Sequence, residues 1–138
     1  AYNTNIVSSL HQYLQGYPGD DIINMLSLDM YDRGEKFNSD LDTALSFITS
    51  EAISRDKLTA LSETGQRRGM DNWWSTVLLP IVSNYPVGYV LTWRHTYRER
   101  YLKMETPPQP FPDDFLIFYN SPHTLFLNEI QEIKINRH

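Results

Sequence analysis

Three short apolar runs recur along the chain at regular intervals, and each stops on a polar or aromatic residue. Residues 22–28 run into Asp29-Met30-Tyr31, residues 57–61 into Ser62-Glu63-Thr64-Gly65, and residues 87–92 into Trp93. The end residues Asp29, Glu63 and Trp93 lie 34 and 30 positions apart, the length of a strand with its crossover helix. Runs this short, rich in Leu, Ile and Val, read as buried strands. Helical patterns fill the intervals between them. Leu41, Ala44, Leu45, Ile48 and Ala52 fall on one face of a helix that reaches Ser54, with Ser39 or Asp40 as its N-cap. Residues 72–84 read as another helix, capped by Asp71 or Asn72 and kinked or interrupted at Pro80. A helix over residues 6–14 precedes the first strand. After a loop over 94–112, two more helices are expected, one capped by Asp113-Asp114 and one opened by Ser121-Pro122. Strands alternating with helices imply an α/β fold with a parallel sheet.

Three parallel strands raise a physical difficulty, because they cannot close a barrel and would leave two open edges and a bare inner face. The expectation is therefore the C-terminal portion, about strands 6 to 8, of a (β/α)8 barrel, with residues 1–138 forming one part of a single catalytic domain. It is incomplete without an upstream part, on the same or a separate polypeptide. An independent domain of 138 residues is the alternative. The first five residues carry neither the charged nor the apolar segment of a signal peptide, so the start reads as mature or truncated.

Composition narrows the partners. The net charge is −5, and the arginines at 67–68 and 94–100 are short clusters without a basic stripe, so nucleic acid is not an expected partner. No apolar run approaches the ~18 residues of a membrane span. The absence of cysteine leaves no disulfide framework and no thiolate metal site. The four histidines lack ligand spacing, and neither a P-loop nor a GxGxxG is present, so no metal and no cofactor is expected. Nine Tyr and three Trp suit the apolar faces of sugars, and equally a packed core.

In a barrel the C-terminal strand ends share one rim, which would gather Asp29, Tyr31, Glu63 and Trp93. A carboxylate, a phenol and an indole around one pocket suit glycoside hydrolysis. The carboxylate attacks the anomeric carbon, the phenol aims it, and the indole stacks on the sugar. Taken singly, each residue has a plainer reading: Glu63 as a solvated loop carboxylate, Tyr31 and Trp93 as core aromatics. Trp73 and Trp74 are adjacent in a helix, so at most one faces the core.

Motifs in order along nearly the whole chain resemble the last strands of glycoside hydrolase family 26, the β-mannanases. They are Tyr17-Pro18-Gly19-Asp20-Asp21 before Asp29-Met30-Tyr31; Ala60-Leu61-Ser62-Glu63-Thr64-Gly65; Asn72-Trp73-Trp74 with Leu78-Leu79-Pro80; Tyr89-Val90-Leu91-Thr92-Trp93-Arg94; and Phe118-Tyr119-Asn120-Ser121-Pro122. The resemblance implies a retaining endo-β-1,4-mannan hydrolase in the complete barrel. Glu63 is then the nucleophile, Tyr31 the phenol that orients it, and Trp93 the stacking surface at the cleaved bond. Arg94, His95 and Asp29 are further substrate contacts at the rim. The family's acid/base Glu ends a strand upstream of residue 1, so this chain alone is expected to be inactive, and a non-catalytic mannan-binding role is the alternative. The expected partners are β-mannan or a related polysaccharide and the upstream part of the barrel, and the expected location is extracellular or the bacterial envelope. Residues 98–111 depart from the family's usual loop.

Overall fold

The structure, a computed structural model, describes residues 1–5, 7–66, 70–93 and 113–135. Four strands form one parallel sheet in chain order: β1 (Tyr2–Thr4), β2 (Met25–Tyr31), β3 (Leu58–Gly65) and β4 (Tyr89–Thr92). Helices lie between and after them: α1 (Leu10–Tyr13), α2 (Phe37–Ser54), α3 (Leu79–Val82), α4 (Asp113–Tyr119) and α5 (Leu127–Ile135). The fold is thus part of an α/β barrel wall. No described helix is long and apolar enough to cross a membrane.

One face of the sheet is covered. Leu26, Leu28 and Met30 of β2 and Leu61 of β3 pack with Phe37, Leu41, Ala44, Leu45, Ile48 and Ala52, the α2 face legible from its spacing. Burial of a side chain such as Leu45 or Ile48 stabilises the layer by roughly 1.5–3 kcal/mol. α2 stops at a tight turn built without glycine. Asp56 takes φ 54°, Lys57 N–H donates to Ala52 O at 2.8 Å and Asp56 N–H to Ile53 O at 3.1 Å, a left-handed cap that feeds straight into β3.

Several boundaries differ from the sequence expectation. β1 is a fourth strand, within the first five residues, where no element was expected; three residues are too few to show a period. α1 begins only at Leu10, because Ser9 is extended and its hydroxyl accepts from Gln12 N–H at 3.2 Å; a 3-10 turn, Leu14–Gly16, follows. Ile22 and Ile23 belong to a turn on Gly19, whose φ is 115°, so β2 starts at Met25 and contains Asp29 and Tyr31. α2 starts at Phe37 after Lys36, and Ser39 donates its hydroxyl to Lys36 O instead of capping. The last helix begins at Leu127, five residues beyond Pro122, where the Glu129 carboxylate accepts from Phe126 N–H at 2.8 Å.

The interruption expected at Pro80 is present as a π-helical stretch, Trp74–Leu78, directly before α3. Pro80 has no N–H to offer the carbonyl four residues back, and the preceding turn widens. Asp114, expected to cap its own helix, instead reaches across to this segment. Its carboxylate accepts from Trp74 N–H at 2.7 Å and Ser75 N–H at 3.0 Å. Trp73 is fully buried, whereas Trp74 is half-buried against Phe115 and Phe118.

Candidate active site

The second face of the sheet is the one the helices leave open, and its side chains follow from register. Ser27 pairs with Ala60 and Met25 with Leu58, on the side opposite Leu26 and Leu28. Plain alternation would then carry Glu63 to the helix-covered face, opposite Met30. The ladder avoids this with one extra residue in β3: Leu28 pairs with Leu61, but Asp29 pairs with Glu63. β4 sees the same insertion, since Leu61 pairs with Val90 and Thr64 with Thr92. Ser62 is the residue left over. This β-bulge puts Asp29, Tyr31 and Glu63 on the open face at the C-terminal end of the strands.

There the Tyr31 phenol donates a hydrogen bond to Glu63 Oε2 at 2.6 Å. Desolvation raises the Tyr31 pKa, followed by the hydrogen bond to Glu63 and the charges of Glu63 and Asp29, and the phenol is pushed up to about 12. It therefore keeps its proton through the neutral and mildly alkaline range. Gly65 is the last residue of β3, and the Tyr31 ring lies against it. A Cβ there would sit 3.0 Å from Tyr31 Cδ1 and 3.2 Å from Cε1. A larger residue would require the ring to give by a few tenths of an ångström.

Asp29 has both carboxylate oxygens engaged by the protein. Oδ2 accepts from Asn3 Nδ2 at 2.7 Å, and Oδ1 lies 3.0 Å from Ser62 Oγ. Trp93 directly follows β4, its N–H donating to Thr64 O at 2.7 Å, and it is 51% exposed. Alternation from Thr92 sets it on the open face with Leu91. A cleft of about 430 Å³ opens beside Tyr31, walled by Phe37, Arg33 and Lys36. Arg94 and His95 lie outside the described residues. Asn3 and Ser62 were missed from sequence, because nothing short of the strand register brings them to Asp29.

No family model matches the chain, and no curated protein matches it. Solved structures do. A family 26 β-mannanase from Bacteroides ovatus shares 34% identity in a match covering 91% of this chain, with a TM-score of 0.78. A modular endo-β-1,4-mannanase from Cellulomonas fimi shares 27% over 87% of the chain, with a TM-score of 0.65. The catalytic domain of a Bacillus family 26 endo-β-1,4-mannanase shares 24% over 92%, with a TM-score of 0.74, a likeness of fold alone. This chain spans 38%, 29% and 39% of those three chains respectively, well under half of each.

Proposed function

We propose, from the premise that this chain belongs to glycoside hydrolase family 26 as a portion of its (β/α)8 barrel, that it carries the nucleophile side of a retaining β-1,4-mannan hydrolase. The observation behind this reading is the 2.6 Å bond from the Tyr31 phenol to Glu63 at the C-terminal end of two paired parallel strands. With Oε2 held by Tyr31, Oε1 is the oxygen left to attack the anomeric carbon. The bond to the leaving sugar breaks as a second carboxyl protonates its oxygen. Water, deprotonated by that same carboxyl, then displaces Glu63 and restores the original anomeric configuration. Trp93 offers the sugar an exposed aromatic face, and Arg94 and His95 extend the contacts along the chain of sugars.

The second carboxyl must lie about 5–5.5 Å from the nucleophile. Asp29 is tied up by Asn3 and Ser62, so we assign the acid/base role to a Glu on the part of the barrel outside this chain, whether on the same or a separate polypeptide. A polymeric substrate that does not cross membranes places the enzyme outside the cell or in the bacterial envelope. Should the remaining barrel present no carboxyl at that position, the same surface would bind mannan without cleaving it.

The test is Glu63→Gln in the complete protein. The amide keeps the size and the hydrogen-bond acceptor but cannot form the glycosyl ester, so kcat on β-mannan falls by about four orders of magnitude or more with the fold intact. Near-parental hydrolysis by this variant would reject the assignment.

A further inference from the structure

We infer that Asn3, Asp29 and Ser62 form a side-chain lock on the β3 bulge, which makes Ser62 and Asn3 positioning residues for the Glu63 carboxylate. This inference rests on the reading of Glu63 as the nucleophile. The extra residue of a bulge has no partner in the ladder, so its backbone is held less firmly than its neighbours. Here that residue is Ser62, immediately before Glu63. Any rotation about its backbone swings the carboxylate away from the Tyr31 hydroxyl.

Side chains replace the missing ladder bonds. Ser62 Oγ has Leu28 O at 3.1 Å, Asp29 Oδ1 at 3.0 Å and Asn3 Oδ1 at 3.0 Å, three acceptors around its single proton. The Asn3 amide is itself oriented by donating from Nδ2 to Asp29 Oδ2 at 2.7 Å, which turns its oxygen toward Ser62. Its charge makes Asp29 the strongest of the three acceptors for the Ser62 proton and strengthens the bond it accepts from Asn3. The result spans three neighbouring strands: β1 supplies Asn3, β2 supplies Asp29 and the Leu28 carbonyl, and β3 supplies the bulge. No hydrogen bond joins Asn3 or Ser62 to Glu63 or Tyr31, so the effect of these two on the nucleophile passes through the backbone, while the charge of Asp29 also acts on Tyr31 through space.

A merely structural cluster and a positioning lock predict different readouts. In the complete protein we would compare Ser62→Ala, Asn3→Ala and Ser62→Thr with the parent, checking each fold by circular dichroism and melting temperature. The lock predicts that both alanine variants stay folded, hold KM within about twofold and lose kcat by about 10- to 100-fold. It also predicts that the late-titrating Tyr31 phenol moves toward an ordinary tyrosine titration in both, while Ser62→Thr, which keeps the hydroxyl, recovers most of kcat. Parental kcat and an unmoved phenol titration in folded alanine variants would overturn it. So would a loss of kcat that only tracks a fall in melting temperature and that threonine does not rescue. Glu63→Gln run alongside separates the two readings: if it stays active, the nucleophile assignment fails; if it is dead while the alanine variants are unaffected, only the lock fails.

Discussion

Tyr31 depends on an absent side chain as much as on a present one. Its ring packs so closely on Gly65 that a Cβ there would stand only 3.0 Å from it, and from there its hydroxyl reaches Glu63 Oε2. Gly65→Ala should displace the ring, lengthen that bond, and lower kcat about tenfold or more, since a misplaced catalytic group loses rate steeply. Alkaline absorbance titration reports the cause. An unfolded tyrosine ionises near 10.0, whereas Tyr31 is pushed up to about 12. Between those values the unfolded chain has given up a proton that the folded chain keeps. The stability linked to Tyr31 is therefore fully present below pH 10 and is lost as the pH rises towards 12. Burial also raises Tyr13, so the Tyr31 step is identified by its loss in Tyr31→Phe; in Gly65→Ala that step should move down toward 10, and an unchanged step would show that Gly65 does not hold Tyr31 in place. Glu63, Tyr31 and Trp93 were legible in the sequence because each stands at the end of an apolar run. Ser62 and Asn3 were not, because polar residues beside a strand end carry no sign of register.

At the scale of elements, the helix faces were legible where the period was long. The α2 stripe from Leu41 to Ala52 appears in the structure on the residues its spacing selects. What escaped sequence reading were features of one to three residues: β1, the bulge at Ser62 and the left-handed Asp56 turn. β1 and the bulge are set by hydrogen bonds to distant parts of the chain, whereas periodicity sees only neighbours, and the Asp56 turn is a local left-handed cap without the glycine that would signal one. Asp114 shows the same limit, since a carboxylate in the first turn of a helix reads as its own cap. In the fold it satisfies the N–H groups of Trp74 and Ser75, joining α4 to the start of the π-helical segment. Asp114→Ala strips two part-buried N–H groups of a charged acceptor and should cost about 1–3 kcal/mol, measured by urea unfolding, with Asp114→Asn recovering part of the loss. A change within error of zero would mean that solvent replaces the carboxylate freely.

At the scale of the whole molecule, the sheet is left unfinished among the described residues. β1 and β4 are its two outer strands, and Leu58, Tyr89 and Leu91 are all more than two-fifths exposed on the face opposite the helices. A groove of about 550 Å³ runs between β4 and α4–α5, lined by Val87, Val90, Phe118 and Phe126. Closing a barrel would cover both surfaces and remove both edges, in keeping with a chain that spans 38% of a family 26 mannanase. The alternation of strands and helices made this architecture legible, because parallel strands joined by helices need neighbours on every side. As the nucleophile, Glu63 would form a covalent bond to the sugar, and that bond can be trapped. The complete protein, treated with a 2-fluoro mannosyl fluoride and digested, should yield a peptide containing Glu63 that carries one fluorosugar, and the Glu63→Gln variant should yield none. Label on a different carboxylate, or active enzyme that never becomes labelled, would contradict the account.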